Sequence, residues 1–216
     1  MTARIEQITV LNPSTETSRE ESAIYLTFDD GPDPDWTPRI LDLLADARVH
    51  ATFFVIGEAA RRVPSLVRRA VAEGHALGNH SFSHRHPWTM MPRVARQEVI
   101  DGAAAIEDIT GRPAQWFRAP HGRNRACMTE AAHGCGQAVI DWHLSAIDWG
   151  PLGIAERIRD RLQQAQSGNI VLMHDGRNRH NRPDELVQVL PEFLRSLQER
   201  NISSRALSPT EVELSE

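Results

Sequence analysis

The segment Asn169–Met173, NIVLM, is apolar at successive positions, so a strand built from it carries hydrophobic side chains on both faces. Such a strand is stable when both faces are covered, as in a parallel sheet flanked by helices. Strand signals recur over Ala23–Phe28, Ala51–Ile56, Ala76–Asn79, Gln115–Arg118, Ala138–Trp142, Asn169–Met173 and Ser204–Leu207. Between them, amphipathic spacing predicts helices over Thr37–Ala47, Glu58–Glu73, Pro92–Thr110, Thr129–His133, Ile154–Gln166 and Pro183–Arg200. Gly or Pro punctuates most boundaries. Alternating strands and helices define an α/β fold whose parallel sheet is either open or closed into a barrel.

The chain has 216 residues, 40% hydrophobic and 25% charged, which suits one globular domain. Residues 1–22 read as an N-terminal extension and 23–216 as the domain, with no internal repeat or low-complexity tract. A formal net charge of −5 without a sustained basic stripe argues against a nucleic-acid partner or a membrane-surface role. The arginine clusters Arg61-Arg62, Arg68-Arg69 and Arg177 to Arg182 read as solvated helix faces or loop. The N-terminal stretch MTARIEQITVLNPSTETSREES lacks the basic start and apolar run of a secretory signal. Nowhere does the chain approach the roughly 18 consecutive apolar residues of a membrane span. Cys127 and Cys135, without CxxC spacing, read as free thiols. Together these features predict a cytoplasmic protein, monomeric or weakly self-associating.

Chemistry concentrates at strand ends. In Tyr25–Pro34, YLTFDDGPDP, an apolar strand runs straight into two adjacent carboxylates. Neighbouring ionised Asp side chains repel and are costly to bury, and a metal cation would compensate them. In Gly78–Pro87, GNHSFSHRHP, His80 and His84 are four positions apart, a spacing that on a helical turn brings two imidazoles to one face. Alone, the pair also fits surface or cap histidines; joined to a carboxylate from another strand end, it completes the donor set of a catalytic zinc site. Asp29-Asp30, the histidine cluster, Arg118 to His121, Asp148-Trp149 and His174-Asp175 all fall at or just after the C-terminal ends of expected strands. In parallel α/β proteins that edge is where sites are built.

The motifs TFDDGPDP, ATFFVIG, NHSFSH, RAPHG, DW and IVLMHDG extend in register from Ala23 to Leu207. In order and spacing the chain resembles the NodB-homology polysaccharide deacetylases of carbohydrate esterase family 4, most of all the nodulation chitooligosaccharide deacetylases. The resemblance implies a distorted (β/α)7-type barrel of parallel strands with outer helices. It also implies metal-dependent removal of an acetyl group from an N-acetylhexosamine-containing oligosaccharide or small glycoconjugate, with one divalent transition ion, Zn2+ or a substitute such as Co2+. By residue, it implies Asp30, His80 and His84 as metal ligands, Asp29 as general base, and Arg118 as the cation that orients the base. His174 becomes the general acid, Asp148 its carboxylate partner, and Trp149 and Leu172 the wall around the acetyl methyl.

One position departs from the pattern. His121 stands where the family usually has Tyr or Phe, and the backbone N–H there belongs to the oxyanion hole. A backbone donor survives a side-chain change, while the imidazole could touch substrate or approach the metal. The polar loop His174 to Pro183, HDGRNRHNRP, is either solvated or in contact with substrate. Two other readings stay open: hydrolysis of a non-sugar amide or cyclic ureide on the same fold, and a non-catalytic sugar-binding protein. The second would be expected to lose base or acid, and both Asp29 and His174 are retained.

Overall fold

The computed structural model describes residues 22–208. The expected extension, residues 1–22, therefore lies outside the described residues except for Ser22, whose carbonyl accepts a hydrogen bond from Ser203 N at 2.8 Å. The elements run β1 (Ala23–Asp29), α1 (Thr37–Ala47), β2 (Thr52–Val55), α2 (Gly57–Arg62), α3 (Pro64–Ala72), β3 (Ala76–Asn79) and α4 (Pro92–Thr110). They continue as β4 (Trp116–Phe117), α5 (Ala126–Gly134), β5 (Ala138–Val139), β6 (Leu144–Ser145), α6 (Ala155–Leu162), β7 (Ile170–His174), α7 (Pro183–Glu199) and β8 (Ser203–Ser204).

The sheet order is β5-β4-β3-β2-β1-β7-β6, with β8 pairing the start of β1, and the ladders are parallel. The outermost strands, β5 and β6, are joined only by residues 140–143. Five backbone steps span at most about 18 Å, whereas the edges of a flat seven-strand sheet would lie about 29 Å apart at a spacing near 4.8 Å. The sheet must therefore curl, and the result is a parallel half-barrel with outer helices, in keeping with the distorted (β/α)7-type barrel that the resemblance implies.

Period-two alternation divides the core between the two faces of the curl. Ile24, Leu26 and Phe28 of β1 are fully buried and cluster with Ile40, Leu41 and Leu44 of α1 and Leu186, Val189 and Leu190 of α7. Tyr25, Thr27 and Asp29 alternate with them, on the side where Phe54, Trp116, Ile140, Ile170 and Leu207 form a smaller cluster. Asp29 thus reaches that second face at the last position of β1, in register with Phe54 of β2 and His174 of β7.

Several boundaries differ from expectation. The single helix expected over Glu58–Glu73 is two, because Val63, at φ −133° and ψ 61°, precedes Pro64 and is driven out of helical geometry. The strand expected over Ala138–Trp142 stops at Val139, and β6 was not anticipated. With two residues it carries too little alternation to be read. The expected last strand, Ser204–Leu207, is the short β8 instead. The arginine clusters do lie on helices and loops, in ion pairs such as Arg62–Glu58, Arg69–Asp42 and Arg177–Asp184. Cys127 and Cys135 are free. No helix among the described residues is long and apolar enough to cross a membrane.

Phe28 and Phe53 stack with ring centroids 5.1 Å apart at 19°, joining β1 to β2 one position before Asp29. Phe28→Ala should lower stability by about 3–5 kcal/mol in chemical denaturation, the usual cost of emptying a buried phenylalanine site.

Candidate active site

The two adjacent aspartates separate because only one belongs to the strand. Asp29 ends β1, while Asp30 takes φ 72° and turns its carboxylate away from the ladder direction. His80 and His84 follow β3 in a loop in which Ser81 and His84 also have positive φ, 65° and 55°. The helical turn anticipated for this pair is therefore absent; a left-handed turn performs the same task. The Asn79 side chain accepts from Ser81 N at 3.0 Å, and Ser81 Oγ accepts from His84 N at 3.2 Å. The two rings end 5.0 Å apart.

Nε2 of His80 and Nε2 of His84 lie 3.2 and 2.9 Å from Asp30 Oδ1. Oδ1 is buried and has no hydrogen-bond partner, so the contact is a convergence of three donor atoms. Tetrahedral coordination with bonds of about 2.0–2.1 Å sets ligand atoms roughly 3.3 Å apart, so these residues fit a small divalent ion. Nδ1 of His80 meets the Arg118 carbonyl at 2.8 Å. A carbonyl only accepts, so the proton sits on Nδ1 in the neutral ring and Nε2 keeps its lone pair for a metal. Without an ion, burial would raise the Asp30 pKa, but the His80 and His84 contacts and the charges of His84 and His174 hold it well below the usual carboxylate range. Burial opposes charge on His80, yet Asp29 and Asp30 push its pKa up.

Beside this cluster, Arg118 is buried completely and forms the floor of the site. Its Nη1 donates to Asp29 Oδ1 at 2.7 Å and to Thr27 Oγ1 at 2.8 Å; Nε and Nη2 donate to the carbonyls of Ile140 and Asp141. Phe54 lies under the guanidinium at 4.0 Å. One Asp29 oxygen is thereby committed, and the other, Oδ2, lies 3.7 Å from His80 Nε2.

On the opposite side, Asp148 receives His174 twice, from the backbone N at 2.7 Å and from Nδ1 at 2.9 Å. Burial would lower the His174 pKa, but the Asp148 carboxylate outweighs it and the pKa rises to about 9. Leu172 is buried on β7 two residues before His174, while Trp149 is 47% exposed in the adjoining loop. His121 has φ 59°, and its ring lies 4.5 Å from that of His84 and 5.1 Å from that of His86. Burial, His84 and His86 lower its pKa to about 4.

All ten anticipated site residues thus fall on one sheet edge. The sequence reading left out Asn178 and Asn181, whose side-chain amides both donate to Asp30 Oδ2, at 3.1 and 2.6 Å. Their only signal was the density of polar residues in the loop after His174. Asp175 also went unassigned. It is buried, accepts from Thr37 Oγ1 at 2.6 Å, and burial with the charge of Asp30 raises its pKa to about 7 despite that bond.

A curled parallel sheet with carboxylates and imidazoles gathered at its carboxyl edge defines an α/β protein with an enzyme-type site. The polysaccharide deacetylase family matches over residues 16–140, more than half of the chain. A peptidoglycan-N-acetylglucosamine deacetylase of Bacillus cereus is 36% identical over 82% of this chain and 84% of its own. A chitooligosaccharide deacetylase of Azorhizobium caulinodans is 33% identical over 78% and 81%. Among solved structures, a family 4 carbohydrate esterase from Streptomyces lividans in complex with acetate superposes with a TM-score of 0.79 at 28% identity, covering 88% of this chain and 94% of that one. The chain belongs to the polysaccharide deacetylase family and is a hydrolase of the N-deacetylase type.

Breaking a buried ion pair leaves an uncompensated charge, so Arg118→Met should cost about 3–5 kcal/mol in urea unfolding. Adding Asn at Asp29 should recover part of that loss. Strict additivity of the two substitutions would show that the pair is not coupled.

Proposed function

We propose that this protein removes the acetyl group from an N-acetylhexosamine unit of an oligosaccharide or small glycoconjugate, with one divalent transition ion, Zn2+ or Co2+, held by Asp30, His80 and His84. The observation that carries this reading is the convergence of Asp30 Oδ1 with both histidine Nε2 atoms, flanked by a buried carboxylate on one side and a charged imidazole on the other. When bound, such an ion supplies Lewis acidity, which acidifies water and polarises the amide carbonyl.

The remaining work belongs to the chain. Amide hydrolysis adds water oxygen to the carbonyl carbon, then breaks the C–N bond to give acetate and an amine. Asp29 serves as base through Oδ2, because Arg118 holds Oδ1 and fixes the carboxylate plane. The His121 backbone N–H donates to the oxygen on which negative charge develops. His174 Nε2 delivers the proton to the departing nitrogen, while Asp148 keeps the ring oriented and charged. Leu172 and Trp149 enclose the acetyl methyl; the exposure of Trp149 suits a wall completed by a sugar.

Both named relatives act on glycans, one on peptidoglycan and one on chitooligosaccharide. A cavity of about 400 Å3 opens beside Asp30 and His84, bounded by Asp33, Glu58, Arg62 and Arg177. The preference for a short soluble saccharide rests on the chitooligosaccharide deacetylase relative and not on this cavity, which none of Asp29, His121, Trp149, Leu172 and His174 lines.

The test is acetate release from chitooligosaccharides, N-acetylglucosamine derivatives, peptidoglycan fragments and cyclic ureides. Activity should vanish on chelation, return with Zn2+ or Co2+, and favour short saccharides by kcat/KM. Cleavage of ureides alone, or full activity in metal-stripped protein, would sink the reading. Asp29→Asn should retain the ion while turnover falls by roughly 10²-fold or more, the scale of general acid–base catalysis.

The pH profile follows from His174. Its pKa near 9 keeps the acidic proton on the ring through neutrality, so kcat/KM should fall as pH rises through about 9. Asp148→Asn removes the charge that raises this pKa and should shift the alkaline limb down toward the ordinary value of 6.5. The same sign governs folding: the stability from this pair is fully present below the unfolded pKa of 6.5 and is lost as pH rises through about 9. An unshifted limb in Asp148→Asn would assign the proton donor elsewhere.

A further inference from the structure

We propose that Asn178 and Asn181 act as a neutral amide clamp on the outer oxygen of Asp30, fixing this carboxylate to engage a metal ion through Oδ1 alone. The proposal rests on the assignment of Asp30, His80 and His84 as the metal site.

The clamp is defined by hydrogen-bond logic at both residues. Asn181 is 5% exposed, and its Nδ2 donates to Asp30 Oδ2 at 2.6 Å and to the Gly176 carbonyl at 3.0 Å. Both partners only accept, so the amide nitrogen must face them. The oxygen of Asn178 accepts two backbone N–H groups, from His180 at 2.7 Å and Asn181 at 2.9 Å. Its nitrogen is thereby turned to Asp30 Oδ2 at 3.1 Å. One carboxylate oxygen thus receives two donors, while the other, equally part of a charged group, receives none and faces two histidine nitrogens. An ion bound through both oxygens would have to displace both amides.

Neutral donors suit this task. A Lys or Arg would hold Oδ2 more strongly, but its positive charge would oppose a cation a few ångströms away; an amide orients the carboxylate and leaves its charge intact. The clamp is also held firmly. The His180 carbonyl accepts from Gly150 N at 2.8 Å, Arg182 N donates to the Asp148 carbonyl at 2.8 Å, and Asn181 forms an isolated antiparallel bridge with Trp149. At the start of the same segment, Asp175 N donates to the Asp29 carbonyl at 3.1 Å. Asn178 and Asn181 are positioning residues, acting on the ion through Asp30.

The experiment measures Zn2+ affinity by competition with a chromophoric chelator, and the visible absorption of the Co2+-loaded protein, for the full chain and for Asn181→Ala, Asn178→Ala and Asp30→Ala. Circular dichroism of each metal-free variant reports folding. Each asparagine variant should bind Zn2+ about 10-fold or more weakly, the scale typical of outer-shell ligand partners. The Co2+ bands should weaken as Asp30, freed at Oδ2, contributes a second oxygen and raises the coordination number, a change that loss of packing alone would not cause. Should Asn181→Ala fail to fold, Asn178→Ala, altered at an exposed side chain, decides the matter. Wild-type affinity and spectrum in the folded asparagine variants would overturn the clamp alone. A wild-type chain that binds no ion, or an Asp30→Ala variant that binds as tightly, would overturn the metal site and the clamp with it.

Discussion

Four carboxylates, Asp29, Asp30, Asp148 and Asp175, are buried at one edge of one sheet, and the rest of the site can be understood as the means of tolerating them. An isolated buried carboxylate is very costly, so each needs its own compensation. Asp29 has the Arg118 guanidinium, Asp148 has the His174 ring, and Asp175 has a Thr37 hydroxyl and a pKa raised to about 7, which lets it carry a proton near neutrality. Asp30 is the exception. Its outer oxygen is served by neutral amides, and its inner oxygen meets imidazoles without hydrogen-bond geometry. The carboxylate held well below the usual range without a fixed cation is the one placed between two imidazoles.

Holding these groups together requires backbone conformations that most side chains avoid. Among the described residues, seven non-glycine residues have positive φ, and Asp30, Ser81, His84, His121 and Ile147 are five of them. Each lies in a loop that leaves a strand at the carboxyl edge or, for Ile147, immediately precedes Asp148. Sparse backbone regions persist where the surroundings over-determine them, and here each loop is held by a parallel strand at its start and a helix at its end. The loops also cross closely: a Cβ on Gly176 would overlap the Asp30 carbonyl, and one on Gly31 would overlap the Asp175 carboxylate. Glycine at these two positions lets the β1 and β7 loops approach closely, so Asp29, Asp30 and His174 sit on adjoining backbone.

Much of this was legible because strand-end chemistry is local in sequence. The apolar runs fixed β1, β3 and β7 within a residue or two, and the polar clusters following them named the residues that converge. What escaped reading depends on tertiary geometry. The spacing of His80 and His84 suggested a helix, yet a left-handed loop produces the same proximity; position in sequence could not separate the two. The outward amides of Asn178 and Asn181 look like solvated loop residues until Asp30 is placed, from 148 and 151 positions away. Short strands such as β6 exist because β7 is already there to pair with them, and no periodicity in two residues could announce it.

His121 shows how the backbone donor proposed for the oxyanion can be kept while a side chain changes. The family position usually holds an aromatic ring, and this imidazole behaves as one. It packs 4.5 Å from the His84 ring and is stacked on His86 at 28°. A charged ring there would be partly buried and would face two other imidazoles, and its pKa near 4 reflects that opposition. Above that pH the ring is neutral, so it adds a flat, partly apolar surface beside the ligands without competing for their charge. The group assigned to the oxyanion is the backbone N–H, whose direction depends on the left-handed turn at φ 59° and not on the ring. Histidine at this position supplies both the turn and a flat ring.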